Sequence, residues 1–218
     1  SAASDVYKRQ SLERVRIELD KLLLSKYAGH GMMLLVATGL SDMSCRVKYK
    51  EEYTSVPILP ELRHLVGLPQ NPKFHCYDVL EHTLFAIDNG PRDLAIRWAL
   101  VLHDLGKGLE NVRIMKNGQP SDPGHEAVSA AMAEKILTRL QYPPKFVKLV
   151  VWLVAQHMRF APMLLTGEKT LLRWIRSEAT SGQFSKQQEM AEAYAKLVEV
   201  FLADMGATHA RHNKQLMQ

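Results

Sequence analysis

The chain has 218 residues, 46% hydrophobic and 23% charged, enough for one sizeable core and unlike a disordered or fibrous protein. Two cysteines, Cys45 and Cys76, exclude a disulfide scaffold and fit no zinc knuckle. The longest apolar stretch, Phe146 to Ala155, is broken by Lys148 and too short to span a bilayer. A formal charge of +5 and a pI of 9.2 permit an anionic partner, RNA or a nucleotide phosphate, without requiring one.

Residues 1–10 carry no helical stripe and read as a tail. Leu12, Val15, Leu19, Leu22 and Leu23 mark an amphipathic first helix ending near Gly29, and Met32-Met-Leu-Leu-Val-Ala37 a second, short one. From Gly39 to Pro60 the pattern degrades into charges and prolines, which predicts a loop between a small N-terminal portion and the main body. Asp78-Val-Leu-Glu81 has the spacing of a capping box. Gly90-Pro91 opens the next helix, with the stripe Leu94, Trp98, Val101, Leu102 and Leu105, and Gly106 and Gly108 end it. Further helices are expected from Ser121-Asp-Pro123 to Leu140, from Pro143-Pro144, over Thr170 to Ser177, and over Gln187 to Met205. No segment alternates as a strand should, so the fold class is all-α.

The chemistry centres on His103-Asp104 within Leu102-His-Asp-Leu-Gly-Lys107, with His82 before it and His125, His157 and Asp204 after it. Neighbouring helical residues point about 100° apart, so a metal seated between His103 and Asp104 is in reach of both. Lys107 shares their face and can hold a phosphate oxygen, while Gly106 lets a ligand approach the backbone. His82 shares a face with Val79, Phe85 and Ala86. His103 follows Ala95 and Ala99, His157 continues Phe146, Val150 and Leu153, and Asp204 continues Leu197 and Val200. Each coordinating group therefore sits where its helix faces the core.

Taken singly, His82 or His157 reads as a hydrogen-bonded core histidine and Asp204 as the partner of a lysine or arginine. Together they read differently. An unpartnered buried carboxylate costs on the order of several kcal/mol, and convergence on a dication removes that cost. The mixed imidazole and carboxylate set suits Mg, Mn, Fe, Ni or Zn, as one ion or two. His125 lies near a helix N-terminus, where backbone N–H groups favour an anion. His30, His64, His209 and His212 read as solvated, and His75 as a support for the site.

The order His82, His103-Asp104, His125, His157, Asp204 resembles the HD superfamily of metal-dependent phosphohydrolases. More narrowly, the chain resembles the HD-containing body of bacterial CCA tRNA nucleotidyltransferases, the poly(A) polymerase-like family. The resemblance rests on Gly67-Leu-Pro-Gln-Asn-Pro-Lys-Phe-His75, Asp78-Val-Leu-Glu-His-Thr-Leu84, Leu59-Pro-Glu-Leu62 and the neck-like Ser11-Leu-Glu-Arg-Val-Arg-Ile-Glu-Leu-Asp-Lys-Leu-Leu23. It implies a neck-like helical segment over 11–66 and an all-α HD domain over 67–218. It also implies His82, His103, Asp104 and Asp204 as core metal ligands, with His125 and His157 holding a second ion or contacting phosphate. The expected activity is hydrolysis of phosphodiesters or phosphomonoesters on nucleotides or RNA 3′ ends, with Asp104, Lys107, His125 and His157 as the catalytic set. The expected setting is the cytoplasm, without a membrane partner. No Gly-Ser strand-turn, Asp-x-Asp pair or Glu-Asp-x-x-Arg motif precedes Ser11, so nucleotide addition is not expected of this chain. The competing expectations are a tRNA-binding body module with a non-catalytic HD site and a free-standing HD nucleotidase.

Overall fold

The computed structural model describes residues 11–49, 52–160 and 167–208. The expected tail, His209 and His212 lie outside them. Helix α1 (Leu12–Leu23) is capped by Ser11, whose hydroxyl accepts from the Arg14 N–H at 3.4 Å, and it buries Leu12, Leu19 and Leu23. It stops well before Gly29. That glycine belongs to α2 (Ala28–Ala37), where its N–H donates to the Asp88 carboxylate at 2.7 Å. A side chain at Gly29 would collide with the Leu84 carbonyl, so the glycine marks a close helix–helix approach rather than a helix end.

The predicted loop from Gly39 to Pro60 holds ordered structure. A 3₁₀ turn (Leu40–Asp42) leads into β1 (Ser44–Tyr49), which pairs antiparallel with β2 (Glu52–Pro57) in a register running from Ser44↔Pro57 to Tyr49↔Glu52. A second 3₁₀ turn (Pro60–Leu65) follows. Cys45 is buried and Val47 half-buried while Arg46 is exposed, so the period of two was present in the sequence. Most of β2 is exposed, which left the alternation too short to stand out among the charges.

Helix α3 (Val79–Asn89) starts at a complete capping box. The Glu81 N–H donates to Asp78 Oδ1 at 2.7 Å, and the Asp78 N–H reaches Glu81 Oε2 at 3.4 Å. Helix α4 (Leu94–Leu102) is begun by Asp93 and not by Gly90-Pro91: Asp93 Oδ1 accepts from the Ala95 and Ile96 N–H groups at 3.0 and 3.1 Å. Gly90 instead ends α3, and the buried Arg97 guanidinium donates to the carbonyls of Gly90 and Pro91 at 2.7 and 2.9 Å. The expected termination at Gly106 and Gly108 also moves. The helix stops at Leu102, and His103 to Gly108 form a run of turns.

A second hairpin, β3 (Ile114–Lys116) with β4 (Gln119–Ser121), turns at Asn117-Gly118, both with positive φ. Asn-Gly is the strongest short-range hairpin signal, and here it marks a hairpin where the sequence pattern predicts no strand. Helices α5 (His125–Arg139), α6 (Pro144–Gln156), α7 (Glu168–Thr180) and α8 (Gln187–Thr208) complete the described chain. Among the described residues helix dominates, and the strands are confined to two small hairpins.

Every residue of α4 from Ala95 to Leu102 is buried. A helix apolar all round must be enclosed, and α4 is, by α3, α6 and α8, with α5 packed in turn on α6. Trp98, Leu100, Leu102 and Leu105 make its share of the core. The turn leaving this central helix delivers His103-Asp104 into the interior. The N-terminal segment is tied on by polar contacts: the Trp98 indole donates to the Tyr142 hydroxyl at 3.0 Å, and Tyr142 in turn bonds Asp20 of α1. Arg139 forks onto Glu61 at 2.5 and 2.9 Å. Among the described residues, no helix is long and apolar enough to cross a membrane.

Candidate metal centre

His103 is 0% exposed, His82 and His157 1%, and Asp104 1%, so the His-Asp pair lies at the bottom of the site. The six sequence-predicted groups come together from five stretches of chain. They do so as two sets of three, not as one ring of six: His82, His103 and Asp204 form one, Asp104, His125 and His157 the other. In the first, His82 Nε2 is 2.8 Å and His103 Nε2 3.6 Å from Asp204 Oδ1. In the second, His125 Nε2 is 3.1 Å and His157 Nε2 3.9 Å from Asp104 Oδ1. Asp104 joins them, because its other oxygen, Oδ2, faces His103 Nε2 at 3.3 Å and His82 Nε2 at 3.6 Å. One carboxylate thus turns one oxygen to each set.

The outward nitrogens fix the rings. His103 Nδ1 meets the Leu100 carbonyl at 2.8 Å, His125 Nδ1 the Asp122 carbonyl at 2.8 Å and His157 Nδ1 the Val154 carbonyl at 2.7 Å. A carbonyl accepts only, so each Nδ1 carries the proton and, in the neutral ring, each Nε2 presents a lone pair to the centre. His125 and His157 aim those lone pairs at one another across 3.3 Å, and His103 Nε2 stands 3.4 Å from His82 Nε2. The facing lone pairs of His125 and His157 repel unless a cation lies between them. Neither Asp104 oxygen accepts a well-directed hydrogen bond, and while Oδ2 is paired with the Lys107 ammonium, buried Oδ1 faces only the His125 and His157 nitrogens, which is the same request for a cation made by a carboxylate. The donor set of imidazole and carboxylate therefore fits a divalent ion of the Mg, Mn, Fe, Ni or Zn kind in each set.

The electrostatics agree. Burial alone would lower His103, yet the Asp104 and Asp204 carboxylates hold it up at about 10. Burial and the neighbouring His103 push His157 down to about 3, which keeps it a neutral donor. Burial opposes the ionisation of Asp104, but the charges of His103 and Lys107 hold it well below the usual carboxylate range. Asp204 is held there too, against its own burial, by His103 and His82. A divalent ion bound there would replace the imidazolium proton that these carboxylates otherwise retain.

Lys107 reaches Asp104 Oδ2 at 2.8 Å and is braced on the other side by Gln70 Oε1 at 2.9 Å. Gln70, whose amide also donates to the Tyr77 and Asp78 carbonyls, lies in a loop and carries no periodic signal that sequence reasoning could use. Gly106 has a different purpose from the one its sequence context suggested. A Cβ there would lie 2.5 Å from the His125 carbonyl, and the Gly106 N–H donates to Ser129 Oγ at 2.8 Å. It is the start of α5, not a ligand, that approaches the backbone, and this contact sets His125 opposite Asp104.

His75 stands edge-on to His82, ring centroids 5.3 Å apart. Its buried Nδ1 has no hydrogen-bond partner among the described residues, and burial with the Lys107 and His82 charges lowers it to about 4. His30 is exposed, as expected. His64 is not the solvated residue anticipated. It is half-buried, with Nδ1 at 2.6 Å from the Glu61 carbonyl and Nε2 at 2.9 Å from the Leu105 carbonyl, where it clamps the turn after Asp104.

Beside the two sets opens a cavity of about 530 Å³, lined by Asp104, Lys107, His125 and Asp204 on its floor. Pro120 and Ser121 of the second hairpin form part of its wall, and the N-terminal residues of α5, Gly124 to Glu126, another part. A separate, mostly apolar hollow lined by Leu19, Leu22, Leu35 and Cys45 lies between α1, α2 and β1, in the N-terminal segment and not beside the histidines.

Comparison with known proteins bears on the same residues. Residues 74–204 match the family model described as HD domain, and residues 4–44 match the one described as probable RNA and SrmB-binding site of polymerase A. The A-adding tRNA nucleotidyltransferase of Deinococcus radiodurans is 40% identical over 151 residues, 67% of this chain and 31% of that protein. The CC-adding tRNA nucleotidyltransferase of Thermus thermophilus is 35% identical over 155 residues, 69% of this chain and 32% of that protein. The multifunctional CCA protein of an Azoarcus species is 34% identical over 120 residues, 53% of this chain and 28% of that protein. The chain thus spans about a third of the length of these curated relatives. Since the HD-domain model runs through every one of the six converging residues and over more than half of the sequence, this chain belongs to the HD-domain family, its HD portion being similar to that of tRNA nucleotidyltransferases.

Proposed function

We propose that this chain is a metal-dependent phosphohydrolase acting on phosphate esters of nucleotides or RNA 3′ ends. The observation that carries the reading is the Asp104 carboxylate, buried and turned with one oxygen to each of two sets of metal-type donors. His82, His103 and Asp204 would hold one ion, and His125 and His157 a second, with Asp104 shared. When bound, such ions supply Lewis acidity and make water nucleophilic near neutral pH. The protein's own part is placement. The substrate phosphate enters from the cavity side, because the opposite side is closed by α3, α4 and α6. Lys107, immobilised between Asp104 and Gln70, offers a fixed ammonium to a phosphoryl oxygen, and the N–H groups at the start of α5 lie along the same wall. His125 and His157 have Nδ1 committed to carbonyls, which orients their rings, and His157, held neutral, does not compete for the phosphate as an acid.

A second reading has its own observation, the match of residues 4–44 to an RNA-binding segment, to which the pI of 9.2 adds an electrostatic motive. In that reading the chain is the tRNA-gripping body of a CCA-adding enzyme and its HD site is not catalytic. One experiment separates them. The purified protein and its Asp104→Ala variant are loaded with Mn²⁺, Ni²⁺ or Mg²⁺ and assayed on 2′,3′-cyclic AMP and a chromogenic phosphodiester, and for tRNA retardation at increasing salt. The expected result is turnover by the parent that Asp104→Ala abolishes. Equal background rates in both proteins, with salt-dependent retardation of tRNA that Asp104→Ala leaves unchanged, would overturn the enzymatic reading in favour of the second.

A further inference from the structure

The cavity floor is charged, and three large apolar side chains stand among the more exposed residues that line it. Phe74 is 56% exposed, Met158 47% and Met205 43%, and all three line the cavity whose floor carries Lys107, His125 and Asp104. They arrive from three separate stretches: the loop before α3, the second residue after α6 and the last turn of α8. None is needed to close the core, which Trp98, Leu102, Leu105 and Leu153 fill. Large apolar side chains are costly to leave in water, and grouped around a polar site they mark a ligand's apolar part. The Lys73 ammonium stands 5.6 Å from the centroid of the Phe74 ring, adding positive charge beside that platform.

The geometry points to a nucleobase: Phe74, with Met158 and Met205, forms the wall that receives the base of a ligand whose phosphate lies against Lys107 and His125. The placement of the phosphate rests on the phosphohydrolase reading above. The base platform rests on the exposed side chains alone. A flat, weakly polar ring fits a flexible thioether on one side and an aromatic face on another, and it lies within a sugar's length of its own phosphate. A lipid tail or an apolar peptide has no reason to bring an anion to the floor, and inorganic phosphate leaves the rim uncovered. Stacking on an aromatic ring is tolerant of base identity, so the site selects for the presence of a base more than for which base it is. The ligand can be a free mononucleotide or the terminal nucleotide of an RNA.

Equilibrium binding tests this without turnover. AMP, ribose 5-phosphate and a tetraribonucleotide ending in a 3′-phosphate are titrated against the full chain and its Phe74→Ala and Phe74→Trp variants, with circular dichroism confirming that the exposed position tolerates both. The expected result is that AMP binds the parent more tightly than ribose 5-phosphate. Phe74→Ala should weaken AMP roughly tenfold or more, the loss of a stacked base, and leave ribose 5-phosphate within about twofold. Phe74→Trp should restore AMP. Tighter binding of the tetranucleotide than of AMP, lost in Phe74→Ala, identifies an RNA end as the source, and the reverse order a free nucleotide. Equal affinity of AMP and ribose 5-phosphate for the parent, no AMP binding at all, or equal weakening of both in Phe74→Ala overturns the inference. AMP binding with the expected pattern in a protein that hydrolyses neither test ester would sink the hydrolase and leave the base site standing.

Discussion

In the proposed hydrolysis, Lys107 is the residue whose single charge has most to do. The residue is only 9% exposed and its ammonium is held by two oxygens, Asp104 Oδ2 and Gln70 Oε1, so its position does not depend on the ligand. A charge that need not move when a reaction develops negative oxygen is worth far more than a mobile surface lysine. It also contributes no atom of the metal-donor type. Lys107→Met, which keeps the stem and removes the charge, is therefore expected to lower kcat/KM by about 10²–10³-fold while the metal content per chain stays that of the parent. Kinetics beside metal analysis checks both halves. Loss of metal along with activity would make Lys107 a support of the ion site instead.

At the scale of an element, α4 has the most to do with the least room. It is buried on every face, so its direction is set by its first turn and by the packing of α3, α6 and α8. That first turn hangs on Asp93, which caps the Ala95 and Ile96 N–H groups and pairs with Lys196 of α8. Burial would raise the Asp93 pKa, but the Lys196 hydrogen bond and the two backbone donors outweigh it, and the group sits below its ordinary 3.8. Its contribution is then fully present above that value and lost as pH falls through the lower folded one. Asp93→Ala is expected to cost about 1 kcal/mol at pH 7, with the difference from the parent shrinking below about pH 4. Urea midpoints at pH 7 and pH 3 read it. An undiminished difference at pH 3 would assign the loss to packing instead of the charged cap.

For the whole molecule, the two donor sets act as a clasp. Their six side chains come from α3, the turn after α4, α5, the end of α6, and α8, which between them include most of the body's helices. An ion that binds only this arrangement stabilises the folded chain by mass action, about 2.7 kcal/mol at a hundredfold excess over Kd. For a chain of this size that corresponds to a rise in Tm of roughly 5–10 °C. Addition of Mn²⁺ or Ni²⁺ is expected to produce such a rise in the parent and none in Asp104→Ala, measured by differential scanning calorimetry. A rise of equal size in both proteins would place the ion elsewhere.

Much of this was legible in the residues. Helical period put His82, His103, His157 and Asp204 on core-facing positions, and the Asp78–Glu81 spacing located the start of α3, because both signals are local: a face and a cap are written within one or two turns. The hairpins were less legible. The first is short and largely solvated, and the second, turning at Asn117-Gly118, has strands of only three residues, too short to show a period of two. What the sequence determined by itself is which groups turn inward and that they are of metal-binding type. Only the tertiary structure decided that they divide into two threes with Asp104 between them, that Gly106 clears a path for α5, that Gln70 braces Lys107 and His64 the turn behind it. Those are contacts between residues distant in the chain, and the periodicity of a helix states which side faces the interior without stating what will be found there.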